Sequence, residues 1–204
     1  MISQAEIHGK AISKRVKNRR DAADVLGSVF SDVPDKDQAW QDLHMLTQDK
    51  DSDVRRRAVD ALGSVFSDVP DKDQAWQDII RLTQDEDRYV RGNASNALGS
   101  VFSDVPDKDQ VSHDLIMLAQ DEDSYVRRSA AYALGSAFSD VSDKDHAWQD
   151  LHMLIQDEDN DTRESAAYAQ GLTFSDVPDK DHARQDLHML IQDEDNDTRE
   201  SAAN

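Results

Sequence analysis

Between Pro34 and Val69 the apolar residues fall on two helical stripes separated by a polar loop. Ala39, Leu43 and Leu46 stand at i, i+4 and i+7 with Trp40 alongside, flanked by Gln41, Asp42 and Gln48, which predicts a first amphipathic helix. Val54, Ala58, Ala61, Leu62, Val65 and Phe66 form the buried stripe of a second. Asp35 and Asp51 are placed to cap the two helices, and Asp35 with Gln38 has the spacing of a capping box. Val69 precedes Pro70 and is pushed toward extended backbone, so the second helix is expected to end by Ser67 or Asp68.

This helix pair repeats without losing register. Gly27, Gly63, Gly99, Gly135 and Gly171 stand thirty-six residues apart, as do Phe30, Phe66, Phe102, Phe138 and Phe174 and the Asp-Lys-Asp triplets that begin at Asp35, Asp71, Asp107, Asp143 and Asp179. A unit of this size cannot bury its apolar face alone, so neighbouring units must stack. The expected fold is an all-α solenoid of antiparallel helix pairs. Residues 1–33 read as a basic segment and half repeat, in which Ser13 to Phe30 is a second helix lacking a full first one. Residues 34–204 read as four full repeats plus a truncated fifth, all one solenoid domain. Repeats four and five are nearly copies: from Ser142 to Ala167 against Pro178 to Ala203 only Ser142/Pro178 and Trp148/Arg184 differ. The pattern starts and stops mid-repeat, so Leu187, Leu190 and Ile191 are expected at an uncapped surface open to end-to-end self-association.

The repeating D-x-x-V-R at Asp51 to Arg55 recurs from Asp87, Asp123, Asp159 and Asp195, with Thr162 and Thr198 in place of Val in the last two copies. Together with A-x-x-A-L-G inside the second helix it resembles the HEAT-like repeats of the phycobilisome-lyase type. The unit here is longer than is usual for that subfamily by roughly a helical turn. The resemblance implies a superhelix whose second helices line the concave side, and a family of mostly protein-binding scaffolds in which some relatives handle bilins or damaged DNA. Two other repeat families do not fit. The tetratricopeptide glycine is replaced by His44, Ile80, Ile116, His152 and His188, and the ankyrin T-P-L-H motif is missing.

The hydrophobic share of 37% suits a thin two-layer core. Net charge is −20, and it is uneven: the first twenty residues carry six basic side chains against Glu6 alone, so the remainder is more acidic still. Such a body repels phosphate backbones, which argues against nucleic acid as partner. With no cysteine, a disulfide framework or thiolate metal site is excluded. No stretch has the apolar length of a signal or membrane span, and a cytoplasmic setting is expected.

Little in the chain suggests catalysis. Arg55, Arg91, Arg127, Arg163 and Arg199 each follow a cap aspartate by four residues, so each can meet its own aspartate or the neighbouring repeat's and form a structural ladder. The acidic loops fail the calcium pattern: counting from Asp157, Thr162 and Tyr168 stand where Gly and Glu are needed. His44, His152 and His188 share a register with Ile80 and Ile116 and read as partly buried helix surface. His146 with Asp150, and His182 with Asp186, are i, i+4 pairs as readily hydrogen-bonded as ligating. No H-E-x-x-H motif, nucleophile or phosphate loop accompanies them, so no enzyme, metal or cofactor is expected. Trp40, Trp76 and Trp148, interrupted by Ser112 and Arg184, read as packing between repeats.

The informative variation lies along the second helices, at i, i+3, i+4 and i+7 on one face. It gathers Asp53, Arg56, Arg57 and Asp60; Tyr89, Asn93 and Asn96; Tyr125, Arg128, Ser129 and Tyr132; and Asp161, Glu164, Ser165 and Tyr168. Tyr and Arg on a rigid wall are the side chains that anchor protein interfaces. The expected function is a non-enzymatic protein-binding scaffold using Arg56, Arg57, Asp60, Tyr89, Asn93, Asn96, Tyr125, Arg128, Tyr132, Glu164 and Tyr168. A bilin-handling protein and a module assembling end to end are the alternatives.

Overall fold

The computed structural model describes residues 3–105, 107–141, 143–177 and 179–203, and every regular element among them is helical. Pro106, Ser142 and Pro178, which share the register of Pro34 and Pro70, lie outside the described residues. The chain forms two compact units, one running to Ala97 and the other from Leu98.

The first unit opens with α1 (Gln4–Ala11) and α2 (Val16–Val29), continues with α3 (Lys36–Leu46), α4 (Ser52–Val65) and α5 (Lys72–Leu82), and contains most of α6 (Arg88–Val101). The second holds α7 (Lys108–Leu118), α8 (Ser124–Ala137), α9 (Lys144–Leu154), α10 (Asn160–Thr173), α11 (Lys180–Leu190) and α12 (Asn196–Ala203). In each full repeat a first helix of 11 residues is followed by a second of 14.

Local chemistry sets these boundaries. The Asp35 carboxylate accepts from the Gln38 backbone N–H, and Asp51 accepts from Val54. Such a cap contributes about 1 kcal/mol. The predicted box is only half made, because the Gln38 amide turns to Asp42 Oδ1 at 3.1 Å instead of reaching back to Asp35. The second helix α4 stops at Val65, tightens into a 3-10 turn over Phe66–Asp68, and Val69 leaves it extended at φ −69° and ψ 141°. Proline geometry ends the helix where the sequence places the stop.

The core is the sum of the two predicted stripes. Ala39, Trp40, Leu43 and Leu46 are buried on α3, as are Val54, Ala58, Ala61, Leu62, Val65 and Phe66 on α4 and its turn. Asp42 departs from the reading that put it on the polar flank: it is 2% exposed, as are Asp78 and Asp150, and Asp186 is fully buried. The first helix is covered on that side by the preceding repeat, which an isolated helical wheel does not show.

Second helices of successive repeats pack side by side, α2 on α4 in the first unit and α8 on α10 and α10 on α12 in the second. The periodic glycine permits this. A β-carbon on Gly27 would stand 3.0 Å from that of Ala61, and one on Gly99 would stand 2.9 Å from that of Ala133.

At the start of the chain, α1 is a shortened first helix. Ser3 and Glu6 form a complete capping box, and Ile7 and Ala11 are buried. At the other end, α12 packs on α11, and Leu190 is 2% exposed. Of the three residues expected at an open surface, Leu190 is therefore covered, Leu187 is half-buried and Ile191 is exposed.

Candidate protein-binding face and buried charge rows

The arginine row is a structural ladder. Arg55 donates Nε and Nη2 to the two carboxylate oxygens of Asp85 at 2.7 and 2.8 Å, and Nη1 to the Asp49 carbonyl at 2.9 Å. Arg127 does the same to Asp157 at 2.7 and 2.7 Å, and Arg163 to Asp193 at 2.9 and 3.0 Å. Arg19 opens the series on Asp49. The partner is not a cap aspartate, as the spacing suggested, but the loop aspartate two residues before the next cap. That carboxylate also accepts from the cap residue's own N–H, as Asp49 does from Asp51 at 2.9 Å. Burial pushes the Asp49 carboxyl up, but the Arg19 guanidinium, the Asp51 backbone N–H and the Lys50 charge together hold the group below its ordinary range. Arg163 holds Asp193 down in the same way, against the opposing effect of burial. With its guanidinium turned inward, this row is not available to grip a ligand.

A second row runs through the first helices. His8 Nδ1 meets Asp42 Oδ1 at 2.8 Å, His44 pairs with Asp78, and His152 Nδ1 meets Asp186 Oδ1 at 2.9 Å. Each histidine comes from the preceding repeat, 34 residues earlier. Ile116 occupies the corresponding register before Asp150, whose Oδ2 is buried without a hydrogen-bond partner. Burial accordingly pushes the Asp150 carboxyl up, and it does the same to Asp114.

The variable second-helix residues are mainly accessible. In the first unit Arg56 and Arg57 both bond to Asp53, Arg57 also reaches Asp24, and Asp60 is exposed. Tyr89 and Asn96 are exposed, Asn93 is half-buried, and the Arg88 guanidinium lies 4.7 Å from the Tyr89 ring centre. In the second unit Arg128 lies 5.2 Å from the Tyr125 ring centre and donates Nη1 to Asp161 at 2.8 Å. Glu164 is half-buried and accepts from Ser201 at 3.5 Å. Ser129, which the spacing groups with them, is buried. Tyr132 and Tyr168 stack with ring centres 5.9 Å apart and planes 5° from parallel while staying 50% and 44% exposed. Their register was legible; their contact was not, because it joins one repeat to the next.

The second unit also brings His152, His182 and Asp186 together, with one ligand atom from each within 4.8 Å of the others. The i, i+4 reading of His182 with Asp186 held two members of this cluster and missed the third, which belongs to another helix. No helix among the described residues is long and apolar enough to cross a membrane.

The geometry is that of an α-solenoid built from helix pairs, and solved structures share it. An engineered protein superposes with a TM-score of 0.66 at 22% identity, over 100% of this chain and 96% of that one. A designed armadillo repeat protein in complex with the peptide (KR)4 gives 0.66 at 16% identity, over 97% and 95% of the two chains. YibA of Escherichia coli gives 0.75 at 18% identity, over 98% of this chain and 68% of that one. No curated protein sequence matches this chain. The sequence profile of HEAT repeats matches residues 43–135 and again 76–172, together more than half of the length. This chain belongs to the HEAT repeat family.

Proposed function

We propose that this protein is a non-enzymatic scaffold that binds a protein partner on its second-helix face. The observation that carries the proposal is the Tyr132–Tyr168 stack, two aromatic rings left half exposed beside the Arg128–Asp161 pair. Aromatic rings already fixed by stacking lose little rotamer freedom on binding, so their buried area converts efficiently into affinity. Arg56, Arg57, Asp60, Tyr89, Asn93, Asn96, Tyr125 and Glu164 complete the contact set. The net charge of −20 favours a partner rich in Lys and Arg through long-range attraction. The solenoid solved in complex with (KR)4 supports that class of partner. The D-x-x-V-R and A-x-x-A-L-G spacings support the phycobilisome-lyase type of HEAT-like repeat as the architectural subtype. The cysteine-free composition supports the cytoplasm as its setting.

The test compares lysate pull-downs by the native chain and by a Tyr132→Ala, Tyr168→Ala double variant at two salt concentrations, quantified by mass spectrometry. A partner retained at moderate salt by the native chain and lost by the variant supports the face. Equal recovery by both proteins removes it.

A further inference from the structure

We propose that His152, His182 and Asp186 form a binding site for a divalent transition-metal ion of the zinc class, held between the first helices of two successive repeats. The donors come from α9 and α11, within one unit. His182 and Asp186 lie one turn apart on α11, so a single ion can reach both. His152 enters from α9, its ring centre 5.2 Å from that of His182. His152 Nδ1 and Asp186 Oδ1 already approach to 2.9 Å. Two donors on metal arms of about 2.0–2.1 Å stand only slightly farther apart than this, so the ion needs a movement of a few tenths of an ångström. The set of two imidazoles and one carboxylate suits zinc, nickel or copper(II). It is a poor match for calcium or magnesium, which seek oxygen.

The surroundings point the same way. Asp186 is fully buried, and its second oxygen accepts from Gln170 Nε2 at 3.2 Å. Gln170 is itself fully buried, with its Oε1 left without a hydrogen-bond partner. It stands where Leu26, Leu62, Leu98 and Leu134 stand in the other repeats. A glutamine in a leucine position costs core packing, and here its amide fixes the orientation of the one buried carboxylate of the cluster. Outer hydrogen bonds of this kind orient metal ligands. The His182 register holds Gln38, Gln74 and Gln110 in the first three repeats and changes to histidine at His146 and His182. Gln170 from the fourth repeat and His182 from the fifth thus converge on one aspartate. His182 is exposed and His152 half-buried, which leaves a side of the site open to water and gives the ion a way in.

The register itself supplies variants that the fold already accepts. His182→Gln restores the residue of Gln74 and Gln110, and His152→Ile restores that of Ile80 and Ile116. Zinc is titrated into the full chain and into each variant by calorimetry, in excess calcium and magnesium to occupy the acidic loops. Thermal unfolding is followed with and without zinc. The proposal expects one zinc equivalent on the native chain, a zinc-dependent rise in Tm, and a loss of affinity greater than about tenfold in each variant. Unfolding of the variants without zinc shows that they remain folded. Zinc binding of equal strength by the native chain and both variants overturns the site, because donors elsewhere in the chain then account for it. Absence of binding by the native chain overturns it as well.

Discussion

Gly135 faces Ala169 so closely that a β-carbon on the glycine would stand 2.6 Å from the alanine's β-carbon and 2.8 Å from its α-carbon. Both belong to second helices, α8 and α10, so the contact sets how near one repeat comes to the next. The glycine period that marks the sequence is therefore a packing requirement: a Cβ here meets backbone, which cannot turn aside.

Gly171 has the same register and nothing within 4 Å of its would-be Cβ. Gly171→Ala should raise stability by about 0.5–1 kcal/mol, the helix propensity gained in the interior of α10. Gly135→Ala should lower it by about 1–3 kcal/mol through overpacking. Urea unfolding of the two variants separates the contributions. A loss of stability in both would mean that backbone conformation, not interhelical approach, selects the glycine.

The ladder and the surface pairs should respond unequally to alanine. Arg127 links two loops through a nearly buried bidentate pair and a carbonyl bond, so Arg127→Ala strands Asp157 and should cost roughly 3 kcal/mol. Arg57 pairs with Asp24 and Asp53 at a more solvent-exposed position, and its loss should cost less than about 1 kcal/mol. Denaturation midpoints of the two variants check the ratio. Acid should weaken the ladder as well. Asp193 is held below its ordinary carboxyl pKa of 3.8, so its stabilising share is present above that value and is lost as pH falls through the lower folded value.

Asp150 carries the opposite sign. Burial raises its folded pKa above the ordinary 3.8, so the folded state binds the proton more tightly than the unfolded chain does. Stability is lost as pH rises from 3.8 through the folded value, and at neutral pH the ionised group is a net cost. Asp150→Asn should raise Tm at pH 7 by about 2–4 °C, the change that about 1 kcal/mol makes in a chain of this size. The gain should vanish well below pH 3.8, where both states are protonated. A thermal-melt series across pH measures this, and a Tm gain that is the same at both ends would remove burial of the charge as its cause.

The helices, their caps and the core of this chain were legible because each rests on residues within one turn of each other. Asp35 caps its own helix, Leu43 and Leu46 share one stripe, and Pro70 stops the helix before it. The charge rows rest on partners 30 and 34 residues away, and a single unit read as an amphipathic pattern places Asp42 in water. The signals were present in the register all the same. Gln170 in a leucine column, and the change from glutamine to histidine at His146 and His182, are visible once the repeats are aligned. Their meaning depends on the offset that lays one first helix beside the next. The variable positions of the second helices could be grouped from the sequence, but the Tyr132–Tyr168 stack required the same offset.

The charge of the partner can be read independently of its identity. If the second-helix face of the second unit recognises basic side chains, a fluorescently labelled (KR)4 peptide should bind the native chain, and its anisotropy should report an affinity that falls with salt because attraction to a body of charge −20 is screened. Charge alone would give the same salt dependence for every variant. The tyrosines supply the distinction, since the Tyr132 and Tyr168 rings are the exposed apolar area available to the stems of Lys and Arg. Removing both should weaken binding by more than about tenfold at moderate salt, the scale expected of an aromatic anchor worth 1–2 kcal/mol or more, while leaving the salt slope nearly unchanged. Asp161→Asn should do the reverse: it lowers the slope and frees Arg128, which now bonds to Asp161 at 2.8 Å, to repel a basic ligand. A peptide affinity indifferent to the tyrosines would show that the acidic body binds without this face.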